Sequence, residues 1–205
     1  MLELAATNIA FNINTLAFLP MMGIAIAVSV MVGQNLGNKD PERAEYATWS
    51  AAHICFTYMI LISLGYVLAP GMFLRPFGMK SDPETFNKIY EYGVVLLRFI
   101  ALYSLFDALN IVFASAIKGA GDTRFVMKTI VVCSWVLMVI PTYLAIVVFK
   151  LHLYAAWVCV TVYITILGFI FLLRFLQGNW KEMLVIEEAP NLPASVNLPE
   201  NPVLE

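Results

Sequence analysis

LAATNIAFNINTLAFLPMMGIAIAVSVMVGQNLGN, residues 4–38, is the stretch that decides the fold, because it runs for 35 positions without a charged side chain. A helix needs about 20 apolar residues to cross the hydrocarbon core of a bilayer. Three further stretches, of 29, 21 and 23 residues, also lack Asp, Glu, Lys and Arg, and they cover residues 46–74, 129–149 and 151–173. A fifth stretch, residues 92–117, is equally long but carries Arg98 and Asp107. The pattern predicts five membrane-spanning helices.

The fold class that follows is all-α, a polytopic membrane helix bundle with five transmembrane helices. The bundle is predicted to occupy residues 1–180, with spans at about 5–32, 46–69, 92–117, 129–149 and 151–173. Residues 181–205 are acidic, dotted with proline and poor in apolar side chains. Such a composition cannot bury enough apolar surface to fold, so a disordered cytoplasmic tail is predicted there.

Composition narrows the class of protein further. The chain is 61% hydrophobic and 13% charged, whereas soluble domains are about 45–50% apolar and about 25% charged. A net charge of −2 and the lack of a basic face that could follow phosphates argue against nucleic acid as a partner. The sequence contains no phosphate-binding loop, no HExxH motif and no nucleophile with a base at helical spacing. No enzyme activity and no cofactor are therefore predicted.

Several helix ends are marked by local signals. Asp40 followed by Pro41 is typical of an N-cap with proline at the first helical position, which predicts a helix start there. Asp122 is predicted to cap the fourth span in the same way. Pro20 lies inside the first span, where it removes a backbone hydrogen bond and bends a helix. Ser81-Asp82-Pro83 predicts another helix start, ahead of the third span.

The basic residues of the loops predict an orientation, since cytoplasmic loops collect more Lys and Arg. One side of the predicted membrane collects seven basic residues and the other collects four. The first side would be cytoplasmic, with the C-terminus inside and the N-terminus outside a cytoplasmic (inner) membrane. The seven are Lys39, Arg43, Lys118, Arg124, Lys128, Arg174 and Lys181, and the four are Arg75, Lys80, Lys88 and Lys150.

Asp107 is the strongest candidate for a functional residue. A carboxylate in the middle of a span is costly, and such residues usually face a bundle interior or water. At 100° per residue, Tyr103, Asp107 and Asn110 lie on one face of the helix, with Ser104 beside them. A hydroxyl, a carboxylate and an amide are ligands for a small hard cation or a proton site. We therefore predict a sodium ion or proton site at Asp107, Tyr103 and Asn110, with Ser104 lining its cavity.

A second polar stripe lies on the first span and consists of Asn8, Asn12 and Thr15, at positions i, i+4 and i+7. Two interpretations stay open for it. The stripe could line a cavity, or it could form hydrogen bonds between helices, as such residues do in membrane bundles.

The motifs together resemble one known family. AATNIAFN (5–12), PMMG (20–23) and SVMVGQNLG (29–37) resemble the eighth helix of the multidrug and toxic compound extrusion (MATE) transporters. KGAGDTR (118–124) is similar to the loop that follows their tenth helix. Tyr103 and Asp107 occupy the positions of the Tyr and Asp in the cation site of the NorM-like branch. The resemblance covers residues 3–180 and is carried by the order and spacing of the motifs.

This resemblance implies two six-helix lobes around a central cavity and secondary active efflux, in which cationic or amphiphilic small molecules are exported against sodium ions or protons. The chain would supply helices eight to twelve, part of the C-terminal lobe. The N-terminal lobe and the seventh helix, with its acidic partner for the Asp107 position, are absent, and Glu3 lies at the outer edge. The transporter is therefore expected to be incomplete, and its missing lobe would be lost, encoded separately or supplied by another chain.

Two alternatives remain at this point. A flippase for a lipid-linked saccharide, from the same superfamily, would need a cavity rich in Arg and Lys, whereas Arg98 is the one basic residue inside a predicted span. A membrane scaffold or an inactive fragment would have no transport activity of its own.

Overall fold

The structure is a computed structural model that describes residues 2–78, 83–150 and 153–183. Every regular element within these residues is a helix, which confirms the predicted all-α fold. The α-helices are α1 (Leu2–Gly37), α2 (Pro41–Leu68), α3 (Pro70–Gly78), α4 (Pro83–Gly119), α5 (Thr123–Cys133), α6 (Ile140–Tyr143) and α7 (Leu153–Leu176). Two π-helical segments, Ser134–Val139 and Leu144–Val148, flank α6, and a 3-10 turn, Asn179–Glu182, follows α7.

Five helical stretches of the described residues are long and apolar enough to cross a membrane, which confirms the predicted number of spans. They are Leu4–Gly37, Pro41–Leu68, Phe86–Gly119, Thr123–Val148 and Tyr154–Leu176. The first stretch agrees with its uncharged run to within one residue, and the other four begin or end several residues away from the stretches read from the sequence.

The first two spans are joined by a tight polar turn at Asn38–Asp40. The Asp40 carboxylate accepts a hydrogen bond of 3.0 Å from the backbone N–H of Arg43, and Pro41 is the first residue of α2. The predicted cap is thereby confirmed. The turn holds α1 and α2 side by side and antiparallel.

α3 is a short helix that the sequence analysis did not predict. It follows α2 after a break at Ala69, and its Leu74 is buried against Gly93 of α4. Tyr66 of α2 meets Phe73 of α3 edge to face, with 4.8 Å between ring centres. α4 begins at Pro83, where the sequence predicts a helix start, while residues 79–82 lie outside the described ranges.

α4 is the central helix of the bundle and packs against α1, α2 and α7. Small residues bring these helices close together. A Cβ built on Gly119 would overlap the carbonyl oxygen of Ser29 in α1 and lie 2.9 Å from the Cα of Ser29. A Cβ on Gly168 of α7 would lie 2.7 Å from the carbonyl oxygen of Phe106. Glycine is therefore needed at both crossings, because real Cβ atoms do not approach backbone atoms so closely.

The fourth span, Thr123–Val148, differs from the others. Val126 is its one buried residue among those described, and most of its side chains are exposed to the surroundings of the bundle. The π-helical segments interrupt its regular winding on both sides of Pro141. Proline has no N–H to donate, so the carbonyl one turn earlier loses its partner, and a local change of winding is the usual response.

Asp122 does not form the predicted cap. Its side chain makes no hydrogen bond to the start of α5, and its Oδ2 instead accepts a 2.8 Å hydrogen bond from Nη2 of Arg174 in α7. The guanidinium of Arg174 also lies 4.7 Å from the ring centre of Phe125. The guanidinium supplies a charged donor at 2.8 Å to a carboxylate that is only 14% exposed, so the carboxylate is satisfied without the cap. The ion pair ties the start of α5 to the end of α7.

Beyond α7 the chain turns back onto the bundle. Gly178 adopts the left-handed conformation with φ of 74°, and the indole N–H of the buried Trp180 donates to the carbonyl of Phe175 at 2.8 Å. Lys181 forms an ion pair with Glu45 of α2. The predicted tail starts at residue 181, so its first residues belong to this ordered turn. Residues 184–205, the rest of that tail, lie outside the described residues.

Candidate functional site

The predicted site residues of α4 lie in the middle of the third span, Phe86–Gly119. Tyr103 is buried, with 3% of its surface exposed. Ser104 is fully buried, and its hydroxyl donates to the carbonyl of Ile100, one turn earlier. The hydroxyl hydrogen of Ser104 is therefore used within its own helix. Its oxygen can still accept a hydrogen bond or contact a cation at the candidate site.

Asp107 and Asn110 form the polar pair at the centre of the candidate site. Both side chains are half-buried, and Nδ2 of Asn110 donates to Oδ1 of Asp107 at 3.3 Å. Their spacing of three residues brings them together on one helix face. Oδ2 of the carboxylate and the amide oxygen of Asn110 are acceptors outside this bond. No lysine or arginine of the described residues forms an ion pair with Asp107.

Two features of α7 belong to the same region and were not predicted. Gly168 lies against the backbone of α4, with its Cβ position 3.6 Å from the backbone nitrogen of Asn110. Tyr163, one and a half turns earlier on α7, is half-buried and packs against the core cluster that includes Ala108, the residue after Asp107. A tyrosine and a glycine in an apolar run carry no local signal, because only the packing of α7 on α4 brings them to this part of α4.

A groove of about 380 Å³ starts at Asn110 and runs between α1, α4 and α5 toward the end of the bundle that carries Lys118. Serine hydroxyls from α1 and α4 line it together with apolar side chains. The lining includes Met22, Ile26, Ser29, Asn110, Ser115, Lys118 and Ile130. The polar pair therefore has a partly polar route to the nearer end of the bundle. The sequence analysis did not include Ser29, Ser115 or Lys118 in the site.

The stripe on α1 lies apart from this groove. Asn8, Asn12 and Thr15 are exposed on the outer face of α1, and the hydroxyl of Thr15 donates to the carbonyl of Phe11 at 2.8 Å. They line none of the grooves described for these helices. Asn14, which was not predicted, has a buried side-chain oxygen without a hydrogen-bond partner in the described part of the chain.

The donor set at Asp107 suits a small hard cation or a proton better than a transition metal. The polar side chains near Asp107 are an amide and tyrosines, which offer oxygen ligands. No group of three or more His, Cys, Asp or Glu side chains that could hold a metal ion occurs within residues 2–78, 83–150 and 153–183. The three cysteines are free thiols: Cys55, Cys133 and Cys159.

Comparison with known proteins gives consistent relatives. The sequence model of the MatE family matches residues 2–144. A "Probable multidrug resistance protein NorM" of Brucella suis is 32% identical over 124 residues, which are 60% of this chain and 26% of that protein. The protein of the same name from Thermotoga maritima is 25% identical over 182 residues, which are 89% of this chain and 38% of that protein.

The fold has a solved counterpart as well. The crystal structure of the eukaryotic MATE transporter AtDTX14 superimposes with a TM-score of 0.75 and 20% sequence identity, over 89% of this chain and 39% of that one. This chain therefore spans less than two fifths of the length of each of these three relatives.

Proposed function

Because this chain belongs to the MatE family and is a multi-pass membrane protein, we propose that it forms the C-terminal part of an antiporter that exports cationic or amphiphilic compounds. The coupling ion in this proposal is a sodium ion or a proton. The observation that carries it is the half-buried carboxylate of Asp107, bonded to Asn110 in the middle of a span. Ionisable side chains at that depth are costly and usually functional.

The proposed mechanism depends on the charge of Asp107. A carboxylate withdrawn from water is stabilised either by a proton or by a bound cation, and both remove its net negative charge. The acceptors at Oδ2 and at the amide oxygen of Asn110 would hold the ion, and the groove toward Lys118 would connect the site with one end of the bundle. A cationic drug drawn by the same charge would be displaced when the ion binds. Exchange then requires only that the two conformations of the transporter bind the ion with different affinities.

A central transport pathway needs a wall of helices on each side, and in our proposal the five helices of this chain form one of these two walls. The exposed stripe of Asn8, Asn12 and Thr15 supports this view, because lone polar side chains are unfavourable against lipid and suit a cavity wall. In our proposal the remaining helices are needed for transport and cover this stripe. They could be encoded with this segment or be supplied by another chain.

Flux measurements test the proposed function directly. Proteoliposomes containing this chain alone are expected to show no ion-driven uptake of ethidium, because the pathway lacks its second wall. A complete transporter that includes this segment is expected to take up ethidium when a sodium or proton gradient is imposed. Transport by the chain alone would contradict the need for a second lobe. No transport by either protein under both gradients would contradict ion-coupled efflux.

The proposed orientation has the turn at Asn38–Asp40 in the cytoplasm and the connection before α4 outside. It rests on the excess of basic residues at the first of these two ends. In a variant without native cysteines, a cysteine at position 39 should resist a membrane-impermeant maleimide in intact cells, and a cysteine at position 80 should react. Labelling of position 39 from outside the cell would show that the orientation is opposite to the one we propose.

A further inference from the structure

A second groove, of about 500 Å³, lies between α1 and α2. Its walls are almost entirely apolar, and its outer rim is exposed to the surroundings of the bundle at Met31, Ile54 and Tyr46. The apolar wall consists of Ile24, Ala27, Val28, Met31, Ala47, Ala51 and Ile54, with the hydroxyl of Ser50 among them. The groove lies on a different face of α1 from the one that borders the candidate site, so it does not depend on the proposed function.

The polar groups of this groove gather at one end. Asn35 lies in the last turn of α1, and Arg43 and Tyr46 lie in the first two turns of α2. The side chain of Arg43 is 79% exposed, and its Nε lies 3.7 Å from the Asp40 carboxylate. Because the side chain is so exposed, the terminal nitrogens of its guanidinium are accessible to an anion. Tyr46 is 76% exposed, as is typical of an aromatic side chain at the membrane surface.

The dimensions of the groove fit a hydrocarbon chain. From Ile24 to Asn35 it follows α1 for about 16 Å, and one leaflet of the hydrocarbon core is about 15 Å thick. Its volume over that length gives a cross-section of about 30 Å². An α-helix about 10 Å across would need about 80 Å² to enter it. The groove therefore admits a single acyl chain, but not a further helix, between its walls.

We propose that this groove binds a phospholipid of the surrounding bilayer with an anionic headgroup. One acyl chain lies along the apolar wall, and the phosphate meets Arg43, with Tyr46 and Asn35 beside it. A guanidinium presents a planar fork of donors that matches phosphate oxygens, which makes Arg43 the residue that selects the headgroup. The Asp40 carboxylate contacts the same guanidinium through Nε. The phosphate would bind its terminal nitrogens, so the contact between Arg43 and Asp40 would be kept.

Lipid retention by the purified chain tests this proposal. The delipidated protein in detergent is titrated with phosphatidylglycerol or phosphatidylcholine, and bound lipid is counted by native mass spectrometry. Wild-type protein should bind one phosphatidylglycerol more tightly than one phosphatidylcholine. Arg43→Gln should weaken phosphatidylglycerol binding about fivefold, the factor expected for one basic residue near an anionic surface. Phosphatidylcholine binding should weaken less, because its choline already balances the charge of the phosphate that meets Arg43.

Lys39→Gln is the matched control, because Lys39 is exposed in the adjoining turn and does not line the groove. An equal loss in Arg43→Gln and Lys39→Gln would show that the effect comes from general surface charge, and it would overturn the proposed site.

Ala27→Phe fills the apolar wall of the groove and should weaken the binding of both lipids. Unchanged binding in a folded Ala27→Phe protein would also overturn the proposal, and if this variant does not fold, the comparison of the two charge variants decides alone. If this chain retains the lipid but the complete transporter does not, other helices of the transporter cover the groove. That result would likewise overturn the proposal.

Discussion

Replacing Asp107 with asparagine is expected to reduce ion-coupled drug efflux to background in a complete transporter that contains this segment. Asparagine has nearly the same shape and can still bond to Asn110, so the packing of α4 is preserved. The substitution fixes the charge of the site at zero, however. The candidate site can then neither gain a proton nor balance a cation, so the two conformations would lose the difference in ion affinity on which the proposed antiport depends.

The measurement is ethidium efflux from cells under an imposed sodium or proton gradient, with the amount of membrane-inserted protein as a check. Tyr103→Phe is the comparison, because it removes one neutral hydroxyl beside the same carboxylate and leaves the charge. Its efflux should fall less than that of Asp107→Asn. Undiminished efflux with unchanged ion dependence in the asparagine variant would show that Asp107 serves packing alone.

The second large effect is expected at the crossing of α1 and α4. Gly119→Ala introduces a Cβ that would overlap the carbonyl oxygen of Ser29, a backbone atom that cannot rotate away. Overpacking of this kind typically costs about 1–3 kcal/mol and occasionally more. We expect a clear fall in the melting temperature of the detergent-solubilised protein, with a larger fall for Gly119→Val.

Gly23→Ala is the matched control in this experiment. Gly23 lies inside α1 and has nothing within 4 Å of its Cβ position. Alanine is preferred over glycine in a helix interior by about 0.5–1 kcal/mol, so this variant should be as stable as the wild type or more stable. Equal melting temperatures for Gly119→Ala and Gly23→Ala would mean that α1 and α4 are not in close contact at Ser29.

Much of the fold can be predicted from the sequence because a bilayer imposes one requirement. A span must be long, apolar and helical, so uncharged runs reveal the number of spans before any contact is known. Local winding and short connections do not follow from that requirement. The π-helical segments flank Pro141, and a proline predicts an interruption of the helix but not the winding that results. α3 depends on Leu74 reaching Gly93 of α4, a contact that leaves no mark in hydrophobicity.

The residues of the candidate site also fall into two groups, those that the sequence predicts and those that only the packing of helices brings there. Tyr103, Asp107 and Asn110 lie on one helix, where periodicity alone predicts a shared face. Tyr163 and Ser29 lie on other helices that pack against α4, and their positions depend on glycine-mediated crossings that no spacing rule gives. Asp122 shows the limit of local signals most clearly. Its position next to the start of α5 is typical of a cap, but Arg174, 52 residues later, takes its carboxylate.

The ion pair between Asp122 and Arg174 has a consequence for biosynthesis. A ribosome adds about 5–20 residues per second, so Asp122 waits several seconds before Arg174 is made, 52 residues later. During that interval the fourth span enters the bilayer with its first turn unattached and with few side chains buried. The pair can close only after the final span has entered. The last helix to be synthesised thus completes the attachment of the span before it, and a chain interrupted before Arg174 would leave that span without this ion pair.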